Sequence, residues 1–235
     1  MRRHDNLRRI AGATLALLIA AGCGASAPTP TPTPVPPTAT PEPAIASDWD
    51  VHELPEQHFS IAIPPGWMVL DLDAGTLESA LESFVGDNPQ LAQMINSQVR
   101  NLAAAGIKFY ALDVSSEAIA AGFPSSVNVS RQELGVEMSP GFLAEATAGQ
   151  LKNLETVQGD ITTRQIELPA GEAAQLQYRM RMALPAGAEM DVMLAQYLVV
   201  DGEVAYVISL GGRAQDAETN TPIFDQIARS FRILD

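Results

Sequence analysis

The acidic residues Asp71, Asp73 and Glu82 have the spacing of oxygen ligands in a calcium-binding loop. They occupy positions 1, 3 and 12 of such a loop. Gly75 and Thr76 stand at positions 5 and 6, however, where the loop requires an oxygen ligand and a turn glycine. A predicted helix also begins near Thr76, and its dipole stabilises acidic residues at its start without a metal. We therefore keep the three acidic residues as candidate metal ligands but expect no bound metal.

Arg179 and Arg181 are cations in a chain whose net charge is −14. They alternate with apolar residues such as Tyr178 and Met180, which puts both arginines on the polar side of a predicted strand. A guanidinium group binds carboxylates and phosphates with paired hydrogen bonds, so both residues are candidates for contacting an anionic ligand. The competing interpretation, which we favour, is an ion pair across the sheet with an acidic residue such as Asp191.

The usual catalytic groups are sparse. Cys23 is the single cysteine, and the histidines that follow it are His52 and His58. No G-x-S-x-G motif marks a nucleophilic serine, and the two histidines lack the i, i+4 spacing of a helical zinc site. We therefore expect a protein that is not an enzyme and needs no cofactor. A hydrolase with a convergent site around His52 or His58 is the remaining catalytic alternative.

Cys23 follows a segment with the character of a secretory signal. Arginines at positions 2, 3, 8 and 9 precede an apolar stretch over Ile10–Ala21. That stretch is shorter than the ~20 residues that a helix needs to span a bilayer. The run Leu18–Cys23 resembles the lipobox of bacterial lipoproteins, except that Ala20 stands where leucine is commoner.

This resemblance implies a signal peptide over residues 1–22 and acyl chains attached at Cys23. It also implies that the protein is held on the extracytoplasmic face of the cell membrane. An uncleaved anchor and ordinary secretion are the alternatives.

Residues 23–47 read as a lipidated N-terminus and a disordered linker. Pro28–Pro43 contains eight of the 17 prolines, and proline both fixes φ and removes backbone donors, so this segment favours an extended spacer. Removing the four arginines and one aspartate of residues 1–22 leaves a net charge of −17. A surface of that charge disfavours nucleic acid and acidic lipid headgroups, so membrane attachment must come from acyl chains.

Residues 48–235 have the pattern of one α+β domain. Apolar alternation predicts strands near 59–63, 67–72, 107–114, 127–134, 161–168, 173–184, 189–200 and 203–210, the last two joined by an Asp201-Gly202 turn. Helical periodicity covers 77–85, and a capping residue followed by proline predicts further helices at 89–105, 140–155 and 222–231. The expected fold is a central antiparallel sheet flanked by helices.

Three segments support a family resemblance: HFSIAIPPGW (58–67), QYLVVDGEVAYVISL (196–210) and TPIFDQIARSFRI (221–233). Together they resemble the PsbP/Mog1-like superfamily, which includes PsbP subunits, Ran-binding Mog1 proteins and LpqN-type lipoproteins. The resemblance implies an α/β/α sandwich, and it implies partner binding or assembly in place of catalysis.

We therefore expect a membrane-anchored extracytoplasmic lipoprotein that acts as a non-catalytic binding or assembly module for a protein or envelope partner. The alternative is a carrier of an apolar or lipidic ligand, motivated by the 46% hydrophobic composition. A carrier predicts a large apolar cavity. The Ala-rich segment Leu102–Ile107 and the loop Ser115–Pro124 are expected to border a groove, but nothing in them selects a ligand.

Overall fold

The computed structural model describes residues 46–70, 106–120, 122–184 and 188–235. Several predictions fall outside these ranges: the signal segment with Cys23, the Pro28–Pro43 spacer, the helices expected at 77–85 and 89–105, and the candidate metal ligands Asp71, Asp73 and Glu82. Among the described residues, no helix is long and apolar enough to cross a membrane.

Strands dominate the described part of the chain. They are β1 (Asp50–Leu54), β2 (Phe59–Ile63), β3 (Trp67–Leu70), β4 (Ile107–Asp113), β5 (Ser126–Glu133), β6 (Val157–Leu168), β7 (Gly171–Ala183), β8 (Glu189–Asp201), β9 (Val204–Arg213) and β10 (Arg232–Ile233). The helices are α1 (Ser116–Ala120), α2 (Pro140–Leu151) and α3 (Ala217–Ser230), with 3-10 turns at Pro55–Gln57 and Ala214–Asp216.

Seven strands form one sheet in the order β3-β4-β5-β9-β8-β7-β6, and every neighbouring pair is antiparallel. The predicted meander of β7, β8 and β9 is confirmed. Its last turn has Gly202 and Glu203 at the centre, one residue later than expected, because Asp201 pairs with Val204. Gly202 has φ of +57°, a left-handed conformation that glycine adopts without strain.

Helices α2 and α3 cover opposite faces of this sheet. Ala144 and Ala148 of α2 pack on Leu176 and Leu198, whereas α3 packs on the other side, against residues such as Tyr197. Since successive side chains of a strand point to opposite faces, Tyr197 and Leu198 face different helices. We call the two sides the α2 face and the α3 face. The expected mixture of an antiparallel sheet with helices is thus present, although strands predominate.

A second sheet of β1, β2 and β10 contributes to the core on the α3 face. Phe59 of β2 stacks on Phe231, with ring centroids 5.4 Å apart. The alternation of β2 predicts one buried side, but all five of its residues are buried. The second side of β2, with Ser60 and Ala62, is buried as well. Ser230 at the end of α3 covers Ala62, and its hydroxyl accepts a hydrogen bond from the Ala62 N–H at 2.8 Å.

The predicted helix starts differ in outcome. Ser139 caps α2 as expected, because its hydroxyl accepts from the Phe142 N–H at 3.2 Å. The prediction that Thr221 caps a helix beginning at Pro222 is wrong, because α3 begins at Ala217 and contains Pro222. The 3-10 turn before α3 supplies an earlier start, and the Thr221 hydroxyl donates to the Ala217 carbonyl at 2.7 Å.

Strand β6 also begins earlier than predicted, at Val157 in place of residue 161. A register shift between Gln158 and Thr162 interrupts its pairing with β7. Gly159 adopts a φ of +71° within this irregularity. The bulge breaks the simple alternation that sequence periodicity detects, and for that reason the first residues of the strand escaped prediction.

Candidate functional site

Charged side chains gather where β7, β8 and β9 meet the start of α3. We call this region the arginine corner and define it by Arg179, Arg181 and Arg213. Antiparallel pairing brings the end of β7 next to the start of β8, and the start of β8 next to the end of β9. The 3-10 turn at Ala214–Asp216 then leads directly into α3.

Arg181 forms an ion pair across the sheet. It lies directly opposite Asp191 in the β7–β8 register, and its Nε is 3.0 Å from Asp191 Oδ1 and 3.8 Å from Glu189 Oε2. The hydrogen bond and charge of Asp191 raise the pKa of Arg181, which stays protonated in any case. For this residue the structure shows the cross-strand pair.

Arg179 has a different environment although it lies two residues earlier. Its partner across the register is Met193, which offers no charge, and the Arg179 side chain is exposed. Within the described ranges, no acidic group forms an ion pair with it. Arg179 borders a cavity of about 500 Å³, together with Glu189, Asp191 and Gln215. The structure therefore separates the two candidate arginines that the sequence treats alike.

Arg213 lines both this cavity and a second one. Its Nε is 2.6 Å from Asp216 Oδ2, an ion pair that closes the turn between β9 and α3. On the side of α1, Arg213 borders a cavity of about 200 Å³ with Asp113, Glu117 and Asn220. The loop Ser115–Pro124 does border this cavity, as the sequence led us to expect, since Ser115 and Phe123 also line it.

Close packing at the arginine corner depends on Gly212. A Cβ atom at this position would lie 2.6 Å from Asn220 Nδ2 and 2.8 Å from Ser125 Oγ. The absence of a side chain lets α3 approach the end of β9, which places Asn220 in the smaller cavity. Sequence reasoning missed Arg213 and Asn220. The one signal available was the run Gly211-Gly212-Arg213, which ends an otherwise apolar strand.

Neither His52 nor His58 lines a cavity at the arginine corner. His52 sits on β1, with its ring centroid 5.8 Å from that of Phe109, and His58 follows the first 3-10 turn with φ of +60°. In the ranges that the structure describes, no three His, Cys, Asp or Glu residues cluster closely enough to hold a metal ion. The arginine corner offers guanidinium, carboxylate and amide groups, which suit binding by charge and hydrogen bonds.

Comparisons with known proteins give similarity of fold only. No protein-family model matches the chain, and no curated protein matches it by sequence. The solved structures similar to it include the cyanobacterial PsbP protein CyanoP of Synechocystis sp. PCC 6803, with a TM-score of 0.48, 10% identity, and coverage of 84% of this chain and 99% of that one.

Two further similar structures are the Ran-binding protein Mog1p and LpqN. Mog1p of Saccharomyces cerevisiae has a TM-score of 0.47 and 14% identity over 80% of this chain and 96% of its own. LpqN of Mycobacterium tuberculosis, described as involved in cell envelope biogenesis, has a TM-score of 0.45 and 13% identity over 75% and 83%.

Proposed function

We propose that this chain is a lipid-anchored extracytoplasmic protein whose domain binds a protein partner at the arginine corner and catalyses no reaction. The observation that carries the proposal is Arg179, an exposed cation beside an open cavity of about 500 Å³, in a strongly acidic chain. Neighbouring Arg181 is already neutralised by Asp191. Arg179 thus retains its capacity to bind a carboxylate from outside.

The mixed charge of the arginine corner favours a protein surface as the ligand. Acidic Glu189 and Asp191 line the cavity together with Arg179, so a small anion would meet repulsion as well as attraction. A protein partner can present both signs at matching positions, and arginine is enriched at such interfaces. The expected partner places an acidic side chain against Arg179 and a basic one near Glu189.

The proposed anchor is Cys23, acylated after removal of residues 1–22. Residues 23–47 then form the spacer and residues 48–235 the binding domain. The proline-rich composition of the spacer supports this assignment, because extended polyproline holds a domain away from the bilayer. Burial of acyl methylene groups, about 0.8 kcal/mol each, supplies the attachment that the acidic domain cannot.

No specific observation supports the alternative function, a carrier of an apolar ligand. Charged side chains interrupt the apolar lining of both cavities at the arginine corner, whereas a lipid site requires a continuous apolar lining. Lipid retained by the purified protein in native mass spectrometry would reinstate that alternative.

The experiment is a pull-down from solubilised membranes with the full-length protein and two charge-reversal variants. Arg179→Glu should lose the partner that the unaltered chain recovers. Lys152→Glu makes the same change of charge on an exposed residue just after α2 and should retain the partner. Recovery of the same partner by Arg179→Glu removes the arginine corner as the site, and no reproducible partner for any of the three proteins contradicts a binding function.

The anchor has a separate test. Cys23→Ser should move the protein from the membrane fraction to the soluble fraction and abolish labelling by radioactive palmitate. A variant that remains in the membrane fraction would rule out Cys23 as the attachment point.

A further inference from the structure

A cavity of about 340 Å³ lies on the α2 face, on the side of the sheet opposite to Arg179. Strands β4, β5, β8 and β9 provide its floor and α2 provides one wall. We call it the amide cavity. None of the described residues that line it is ionisable; the polar ones include Asn128, Gln196 and Ser209, and the apolar ones include Leu198 and Val207.

The floor carries a row of uncharged polar side chains in register. Asn128 of β5 pairs with Ser209 of β9, and Ser209 pairs with Gln196 of β8. Paired residues in neighbouring strands share one face and lie about 4.8 Å apart. The row therefore presents an amide, a hydroxyl and a second amide along a line across three strands.

Gln196 has an unsatisfied acceptor in this row. Its Nε2 donates to Ser209 Oγ at 3.2 Å, but its Oε1 is buried and has no hydrogen-bond partner in the described part of the chain. Buried polar atoms in native proteins are almost always paired, and an unpaired one is costly. The geometry therefore leaves Gln196 Oε1 open to a donor from outside the described residues.

We propose that the amide cavity binds a neutral polyhydroxyl ligand of saccharide chemistry. Because Gln196 Oε1 is buried, binding requires the Gln196 amide to turn toward the amide cavity, where a hydroxyl of the ligand donates to Oε1. Other hydroxyls exchange hydrogen bonds with Asn128 and Ser209. The C–H faces of a sugar ring pack on aliphatic residues such as Leu198 and Val207. The volume of about 340 Å³ lies within the range of ligand-binding cavities.

Other ligand classes fit the lining less well. A charged ligand would lose its hydration without finding an opposite charge. A purely apolar ligand would leave Gln196 Oε1 unpaired and would also bury Asn128 and Ser209 away from water. A neutral ligand with several hydroxyl groups avoids both costs. The proposal is independent of the arginine corner, since the two sites lie on opposite faces.

The test is an NMR titration of the isotopically labelled full-length protein in detergent micelles. The probes are maltose, which represents free sugars, and chitotetraose, which represents the glycan chains of cell envelopes. We expect saturable shifts in the side-chain amide resonances of Gln196 and Asn128, with a dissociation constant of roughly 1 mM or tighter. The probe that binds more tightly identifies the source of the ligand.

Gln196→Leu removes the acceptor while keeping a similar volume, and it should weaken binding by about tenfold. Gln177→Leu makes the same change on the α3 face, at a half-exposed position of β7, and should leave binding unaltered. Far-UV circular dichroism checks the fold of both variants. Should Gln196→Leu fail to fold, Val207→Phe, which fills the amide cavity from an apolar position, should abolish the shifts.

Three results would overturn the proposal. The first is the absence of shifts with both probes at about 10 mM. The second is shifts confined to residues outside the amide cavity. The third is unaltered affinity in a folded Gln196→Leu or Val207→Phe protein, which would mean that Gln196 Oε1 is satisfied by water alone.

Discussion

The phenol of Tyr197 on β8 donates a hydrogen bond to Asp225 on α3. Gln175 of β7 joins this contact, because its Nε2 donates to the Tyr197 oxygen at 2.7 Å and approaches Asp225 Oδ1 at 3.4 Å. Arg164 of β6 in turn donates to Gln175 Oε1. Three strands and a helix are thus connected by one polar network on the α3 face.

Loss of the Tyr197 hydroxyl should destabilise the domain. Tyr197→Phe leaves the buried end of the network incomplete, and we expect the free energy of unfolding to fall by about 1.5–3 kcal/mol, the range for a hydrogen bond to a charged group. Chemical denaturation measures the change. Tyr206→Phe is the matched control, because Tyr206 is also buried but packs against Phe59 and Phe231. An equal loss in both variants would contradict a special role for the network.

Stability should decline at alkaline pH. Burial raises the pKa of Tyr178 to about 12, and burial with the Asp225 carboxylate raises that of Tyr197 further. The folded state therefore keeps these protons after the unfolded chain releases them near pH 10. The contribution to stability is complete below pH ~10 and is lost as pH rises through the folded-state values.

Urea denaturation between pH 8 and 12 measures this decline. The free energy of unfolding should be nearly constant from pH 8 to 9 and should then fall. Tyr178→Phe should make the fall shallower, because it removes one of the protons involved. An identical slope in the variant would show that Tyr178 does not contribute.

Gly212 should not tolerate a side chain. Gly212→Ala places a Cβ against Asn220 and Ser125, so we expect a loss of about 1–3 kcal/mol in the free energy of unfolding. Gly149→Ala is the control, because it lies in α2 with nothing within 4 Å of the added atom. That change should stabilise the protein by about 0.5–1 kcal/mol. Differential scanning calorimetry distinguishes the two signs.

The double variant Gly212→Ala with Asn220→Ala tests the mechanism. It should recover part of the stability lost in Gly212→Ala, because it removes the nearer of the two contacting groups. If the double variant is no more stable than Gly212→Ala, the destabilisation comes from the backbone of β9 and not from the contact with Asn220.

Ser230 should stabilise the attachment of β2 to α3. Its hydroxyl accepts from the Ala62 N–H and donates to the Ile227 carbonyl. Ser230→Ala leaves a buried N–H without its partner, and we expect a cost of about 1–3 kcal/mol. Hydrogen exchange should show faster exchange at Ala62 in particular. Ser139→Ala, which removes an exposed helix cap, should cost about 1 kcal/mol and leave Ala62 unaffected.

Local patterns predicted a large part of the described fold. The turn into β9, one residue from the expected place, and the capping pair Ser139-Pro140 depend on residues close in sequence, and both are present. The predicted alternation along β7 holds only from Gln177 to Ala183, because Gln175 on the polar side is buried against α3. The same reasoning failed at Pro222, because α3 begins at Ala217 and continues through this proline, which removes one backbone hydrogen bond without ending the helix. The periodicity of β2 likewise could not reveal that both of its sides are covered.

The candidate sites were likewise predictable from local sequence only in part. Sequence alternation placed Arg179 and Arg181 on one polar side, and it named Asp191 as a possible partner. It could not show that only Arg181 takes that partner, because the outcome depends on the register in which Met193 falls opposite Arg179. Nor could it bring Asn128 to Gln196, since the two meet only through the pairing of both strands with β9.

The sequence by itself determined the class of the domain and the polar and apolar sides of the second half of β7, because these follow from local composition and periodicity. The anchor at Cys23 stays a prediction. Tertiary structure alone decided which of Arg179 and Arg181 pairs with Asp191, how Gly212 admits α3, and where a buried Gln196 oxygen lacks a donor among the described residues. Those properties arise from the registers of strands that are distant in the chain, and registers are fixed by the packing of the whole core.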